Sequence, residues 1–173
     1  LQLLKKSRPR RPINGVLLTV SVADLLQQSA AEREAQAAAV RARLHELHEQ
    51  FQIRFPIYVL VTKSDLLAGF TEFFGDLGKE ERAQVWGTTF SFSEDSKAMP
   101  LSGLATEFDL LEQRILDRVL ERMQAERDPA RSALIFAFPQ QLSIVRPLLS
   151  EFLERVFAAS KYDEAPLIRG VYF

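Results

Sequence analysis

Residues 56–65 read PIYVLVTKSD, and this stretch decides the fold class. Residues 57–61 form a continuous apolar run directly after a proline, which predicts a strand that is buried on both faces. Residues 62–65 are mostly polar, and a new apolar run begins at Leu66. A buried strand that runs directly into a short loop and the start of a helix is typical of a parallel α/β sheet.

The preceding sequence supplies the other half of a strand–helix–strand unit. Residues 13–22 are rich in aliphatic residues without polar alternation, which predicts a central strand covered on both faces. Ser29 or a neighbour then begins a long helix that ends before Pro56. The apolar side of this helix is predicted at helical spacing, at Val40, Leu44, Leu47 and Phe51.

The following sequence predicts further helices and strands. Residues 66–86 suggest one or two short helices, residues 87–92 a short strand and residues 93–103 a loop. An amphipathic helix follows, closed by Asp128 and Pro129, with its apolar stripe at Leu104, Phe108, Leu111, Ile115 and Val119.

The last part of the chain predicts strand, helix and strand. Residues 134–138 are expected to form a third strand, a helix follows Pro139, and residues 167–173 form the final strand. Together the pattern predicts an α/β fold, a three-layer sandwich with a mostly parallel sheet. In such sheets ligands bind at the carboxyl ends of the strands.

Composition excludes several classes of function. The 173 residues hold 22 Lys plus Arg against 23 Asp plus Glu, so no overall charge favours nucleic acid. Cysteine is absent, so disulfides and thiolate metal sites are excluded. The apolar runs are far shorter than the roughly 20 residues of a membrane helix. Residues 1–12 are basic and contain two prolines, which predicts an extended connector before one domain at residues 13–173.

The candidate nucleotide site is the loop after the second strand, where Thr62, Lys63, Ser64 and Asp65 fit the base-reading loop of GTP-binding domains. A carboxylate at Asp65 accepts two hydrogen bonds from the guanine edge, while the Lys63 stem packs along the base. Thr62 stands where asparagine is usual. The alternative is that Ser64 or Asp65 caps the helix that begins at Leu66.

The phosphate-binding half of such a site has no counterpart in the sequence. No G-x-x-x-x-G-K-[ST] loop occurs in the 173 residues, and this loop supplies the amide nest and lysine that hold the phosphates. We therefore expect no nucleotide hydrolysis, no catalytic residues and no cofactor in this chain alone.

Two other clusters are candidates for sites. His45 and His48 lie three residues apart on the first long helix, but no third ligand is evident, so a solvated helix face is expected and no metal site. Phe70, Phe73, Phe74 and Trp86 crowd a segment that is also rich in glycine. Some of these rings must cover core, and a partly exposed subset would dock a partner.

Several motifs follow one another along essentially the whole chain: RPRRPINGV at residues 8–16, TVSVADLL at 19–26, PIYVLVTKSDLLAGFTEFF at 56–74, QVWG at 84–87, EFD at 107–109, FAFPQ at 136–140 and PLIRGVYF at 166–173. These motifs resemble the TssM/IcmF family of type VI secretion proteins. Their number and order identify the chain as resembling the C-terminal part of the family's cytoplasmic NTPase-like domain.

The resemblance implies a P-loop NTPase-like, small-GTPase-like fold that lacks its P-loop part, within a bacterial inner-membrane protein. It implies a cytoplasmic docking scaffold that couples the type VI membrane complex, with TssL and TssJ, to the baseplate. It leaves open the alternative of a GTP- or ATP-binding switch with magnesium, whose phosphate loop lies upstream in the parent protein.

Overall fold

A four-stranded sheet organises the chain, whose computed structural model describes residues 2–90, 103–157 and 167–173. The strands lie in the order β1, β2, β4, β3, and β1, β2 and β4 are parallel while β3 runs antiparallel to β4. The sheet is therefore mixed, with three parallel strands and one antiparallel strand. The strand bounds are Val16–Ser21 for β1, Pro56–Thr62 for β2, Gly87–Thr89 for β3 and Leu167–Tyr172 for β4.

Helices fill the segments between the strands. Ser29 begins α3 with a reciprocal cap, since its hydroxyl accepts from the Glu32 amide while the Glu32 carboxylate accepts from the Ser29 amide. The Ser29 amide and the Ser29 hydroxyl both donate to the Glu32 carboxylate, and these two hydrogen bonds lower the pKa of Glu32. The helix bounds are Gln2–Ser7 for α1, Val22–Gln27 for α2, Ala30–Phe51 for α3, Phe70–Phe73 for α4, Lys79–Arg82 for α5, Leu104–Ala125 for α6 and Pro129–Phe157 for α7.

The long helices pack on one face of the sheet. Alternate strand residues that include Val20, Val59 and Val171 join buried side chains of α3, α6 and α7 in a single core cluster. The residues between them on the strands include Leu17, Tyr58 and Tyr172, and they lie outside this cluster. Among the described residues the arrangement has two layers, so the second helical layer of the three-layer sandwich stays a prediction.

The first strand differs from its prediction as a central strand. Within the described residues β1 pairs only with β2 and forms an edge of the sheet. Leu17 is 66% exposed on the face away from the helices. The prediction of coverage on both faces is wrong for this part of the chain, because an aliphatic run shows that a strand forms but not how many neighbours it has.

The predicted third strand at residues 134–138 is also wrong, because this segment belongs to the 29-residue helix α7. The helix contains Pro139 and Pro147. Its buried residues continue at helical spacing past both prolines, at Ile135, Phe138, Leu142, Val145, Leu149, Phe152 and Val156. Asp128 does not close α6, which ends at Ala125. Its carboxylate instead accepts a hydrogen bond from the Ala130 amide at 2.9 Å, and Pro129 takes the first position of α7.

The two remaining differences lie at the start and middle of the chain. The basic segment is not extended throughout, because α1 is helical to Ser7 and the Lys5 ammonium donates to the carbonyl of Gln50. Its separation from the domain at residues 13–173 stays a prediction. The strand predicted at residues 87–92 is observed as β3, and residues 91–102, with most of the predicted loop, lie outside the described residues.

Candidate functional site

The loop after β2 lies at the carboxyl end of the sheet, beside the end of β1. The Thr62 hydroxyl donates to the Val20 carbonyl at 3.4 Å, which joins the ends of the two strands. Lys63 adopts a left-handed backbone conformation with a φ of 61°, and its side chain is exposed. Asp65 is exposed two residues later in a 3₁₀ turn, Ser64–Leu66. The loop therefore presents one cation and one carboxylate to solvent where ligands of parallel sheets usually bind.

A helix cap does not explain these side chains. Lys63 precedes the 3₁₀ turn, at the position of an N-cap, and no side-chain hydrogen bond caps the turn. Ser64 is buried and its hydroxyl donates to the Val61 carbonyl at 3.5 Å. Among the described residues no partner is found for the Asp65 carboxylate, so the predicted alternative of capping by Ser64 or Asp65 is wrong for this geometry.

A second candidate site is a groove between α4, α6 and the carboxyl end of β4, with a volume of about 650 Å³. We call it the aromatic groove. Rings of Phe70, Phe74, Trp86 and Phe173 line it, and Val85 is 76% exposed at its edge. The Trp86 ring lies 5.2 Å from that of Phe74 and 4.8 Å from that of Phe173. The volume falls in the range of roughly 300–1,000 Å³ that is usual for ligand sites.

The predicted aromatic set divides between groove and core. Phe70, Phe74 and Trp86 are half-buried and line the groove, as expected of a partly exposed subset. Phe73 is only 1% exposed and is not among the lining residues, so its ring supports the groove from the core. It packs against Phe138 of α7 with ring centres 5.1 Å apart. The groove therefore rests on well-packed aromatic side chains.

Two arginines of α6 hold the turn that follows α4. Arg122 is almost fully buried and donates to the carbonyls of Phe73 at 2.8 Å and Glu72 at 2.9 Å. Its Nε also lies 3.3 Å from the Asp76 carboxylate. Arg118 lines the groove one helical turn earlier, with its guanidinium 3.5 Å from the same carboxylate and 5.9 Å from the centre of the Phe73 ring.

Sequence reasoning missed Arg118, Val85 and Phe173 as groove residues. Arg118 and Phe173 lie far from residues 70–86 in the sequence, so only the fold brings them together. One signal was present for the neighbouring Arg122, which follows Ile115 by seven residues and therefore falls on the apolar stripe of α6. A cation at a position that periodicity assigns to the core suggests a buried ionic or hydrogen-bonded role.

The histidines of α3 and the hydropathy of the helices bear on the expected absence of a metal site and of a membrane span. His45 lies 3.3 Å from Glu49 on the same helix, and no group of three or more potential metal ligands occurs in this part of the chain. None of the described helices is long and apolar enough to cross a bilayer.

Comparison with known proteins places the chain in a family. The family described as the IcmF-related N-terminal domain matches residues 1–173. The chain belongs to the IcmF-related family. It is also 53% identical over 174 residues to a protein of Pseudomonas aeruginosa described as type VI secretion system component TssM1. That alignment covers 100% of the chain and 16% of the relative, and no solved structure matches.

The predicted TssM/IcmF resemblance is thereby confirmed. This IcmF-related chain corresponds to a small part of its P. aeruginosa relative, so activities and partners of a whole TssM protein do not transfer directly to these residues. The function of this chain is therefore inferred from the two sites described above.

Proposed function

We propose that this IcmF-related chain acts as a docking domain in the type VI secretion system. Its relative's description supports membership of that system, and the aromatic groove supports docking. The observation that carries the proposal is an exposed Val85 beside a groove lined by four aromatic rings. Apolar pockets with aromatic linings are where binding energy concentrates in protein interfaces.

The proposed partners are other type VI components. In this proposal the parent protein lies in the inner membrane with TssL and TssJ, and this domain reaches baseplate components on the cytoplasmic side. The domain then couples the membrane complex to the baseplate as a scaffold.

A charge placed at the edge of the groove tests this proposal. Val85→Asp should reduce binding to a groove partner by tenfold or more, because a carboxylate would have to be desolvated against apolar side chains. Val85 is largely exposed, so we expect a change in unfolding free energy within about 0.5 kcal/mol. Binding of the purified chain to TssL, TssJ and baseplate proteins of the same system is measured by calorimetry.

Leu120→Asp is the matched control, since Leu120 is 66% exposed on α6 and does not line the groove. It should leave binding unchanged. Absence of binding to every component, or equal losses for the two variants, contradicts docking through the groove.

The loop after β2 favours one alternative, a base-reading switch in the parent protein. Lys63 and Asp65 are both exposed at the carboxyl end of the sheet, and no partner is found for the carboxylate among the described residues. An unpartnered carboxylate suits the two donors on the edge of guanine. GTP, or ATP, would then bind with magnesium held by upstream residues.

Asp65→Ala tests the alternative in the parent protein. Loss of the charge-assisted hydrogen bonds should weaken binding of a fluorescent GTP analogue by roughly tenfold or more. Titration of the fluorescence gives the dissociation constant, and Glu49→Ala serves as an exposed acidic control on α3. If the Asp65→Ala variant and the unsubstituted protein bind the GTP analogue with equal affinity, Asp65 does not read the base.

A further inference from the structure

We infer that the aromatic groove binds a protein segment that carries a large apolar side chain next to a carboxylate, and that Arg118 binds this carboxylate. The inference rests on the proposed docking function and adds the chemistry of the partner. Three observations support it, concerning the charge around Arg118, the donors at the groove and the shape of its apolar floor.

The first observation is an imbalance of charge. Arg118 and Arg122 share the single carboxylate of Asp76, which leaves one positive charge over in this trio. Asp76 is closer to Arg122, at 3.3 Å, than to Arg118, at 3.5 Å. Asp76 itself does not line the groove, whereas Glu81 does, and the Glu81 carboxylate accepts a hydrogen bond from the Gly78 amide at 2.7 Å and caps α5. An incoming carboxylate at Arg118 would neutralise the positive charge left over in this trio.

The second observation concerns hydrogen-bond donors. A guanidinium has five N–H donors in a planar fork that matches a carboxylate, and Arg118 makes one hydrogen bond, to Asp76, among the described residues. Its side chain is 40% exposed and stays positioned by the Phe73 ring. The indole N–H of Trp86 likewise has no acceptor within the described ranges. The unused donors of Arg118 therefore favour an acceptor on the partner.

The third observation is the apolar floor. Phe70, Phe74 and Trp86 form a connected group, with ring centres 4.8 Å apart for Phe70 and Phe74 and 5.9 Å apart for Phe70 and Trp86. An apolar group that covers these half-buried rings removes their remaining contact with water at no cost in lost hydrogen bonds, which is favourable. In a segment with leucine or phenylalanine beside aspartate or glutamate, the apolar side chain would cover the aromatic floor and the carboxylate would pair with Arg118.

Selection of random 12-residue peptides displayed on phage against the purified chain tests this inference. We expect the enriched peptides to combine Leu, Phe or Trp with Asp or Glu. Arg118→Glu should weaken their binding by roughly tenfold or more, because a charge-assisted pair becomes a repulsion. Arg114→Glu makes the same charge change at an exposed position of α6 outside the groove and should have little effect.

The outcomes separate this inference from the docking proposal. Enriched peptides without acidic residues, no enrichment, or equal effects of the Arg118→Glu and Arg114→Glu variants would overturn it. If Val85→Asp weakens the binding of secretion proteins and Arg118→Glu does not, the result supports docking through the groove and rejects an acidic partner. Acidic peptides that need Arg118, together with no binding of secretion proteins, would support the chemistry of the groove and reject its proposed use.

Discussion

Replacement of Phe138 by alanine is expected to lower the free energy of unfolding by about 3–5 kcal/mol. The side chain has no exposed surface, and its ring lies 5.8 Å from that of Phe70, 5.1 Å from Phe73 and 5.7 Å from Phe74, centre to centre. Its removal leaves a cavity that these rings cannot fill without moving. Urea denaturation followed by circular dichroism measures the loss.

Phe136→Ala is the control, and it also tests the helical assignment of this segment. Phe136 is 67% exposed on the same helix, so its replacement should cost less than about 1 kcal/mol. In a strand, residues 136 and 138 would share a face and both replacements would have similar effects. Equal losses would therefore contradict the helix, and a large difference supports it.

The wrong prediction for this segment has a physical origin. Residues 134–138 read LIFAF, and a short apolar run of this kind suits a buried strand as well as a buried helix. The following proline made a boundary look probable, since proline removes a hydrogen bond inside a helix. In the structure α7 continues through Pro139 and Pro147 because its apolar face, from Ile135 to Val156, packs into the core. Tertiary packing outweighs the local cost of the prolines.

The predicted site residues that lie together in the structure are neighbours in sequence, and their roles as sites stay predictions. The loop after β2 and the rings at Phe70, Phe74 and Trp86 lie within short segments, so local composition reveals them. The position of β1 at an edge, and the entry of Arg118 into the groove, depend on which elements pair and pack. These features follow from the whole fold, and a single sequence contains no local signal for them.

The buried arginine provides the second large expected effect. Arg122→Met should lower the free energy of unfolding by about 3 kcal/mol, because methionine keeps the apolar stem but removes the charge-assisted hydrogen bonds. The hydrogen bonds that are lost go to the carbonyls of Glu72 and Phe73 at the end of α4. This helix has only four residues, so few bonds of its own hold its end. The groove that α4 lines should loosen with it.

Two probes distinguish local opening of the groove from unfolding of the whole domain. Trp86 is the only tryptophan of the chain, so its fluorescence reports on the groove, while circular dichroism reports on all helices. In urea, the fluorescence of the Arg122→Met protein should change at a lower concentration than its dichroism, because the groove opens before the core. Arg118→Met, at a 40% exposed side chain of the same helix, should cost less than about 1 kcal/mol. The idea that Arg122 holds the groove in place would be contradicted if fluorescence and dichroism of the Arg122→Met protein showed one transition at the same urea midpoint as the unsubstituted chain.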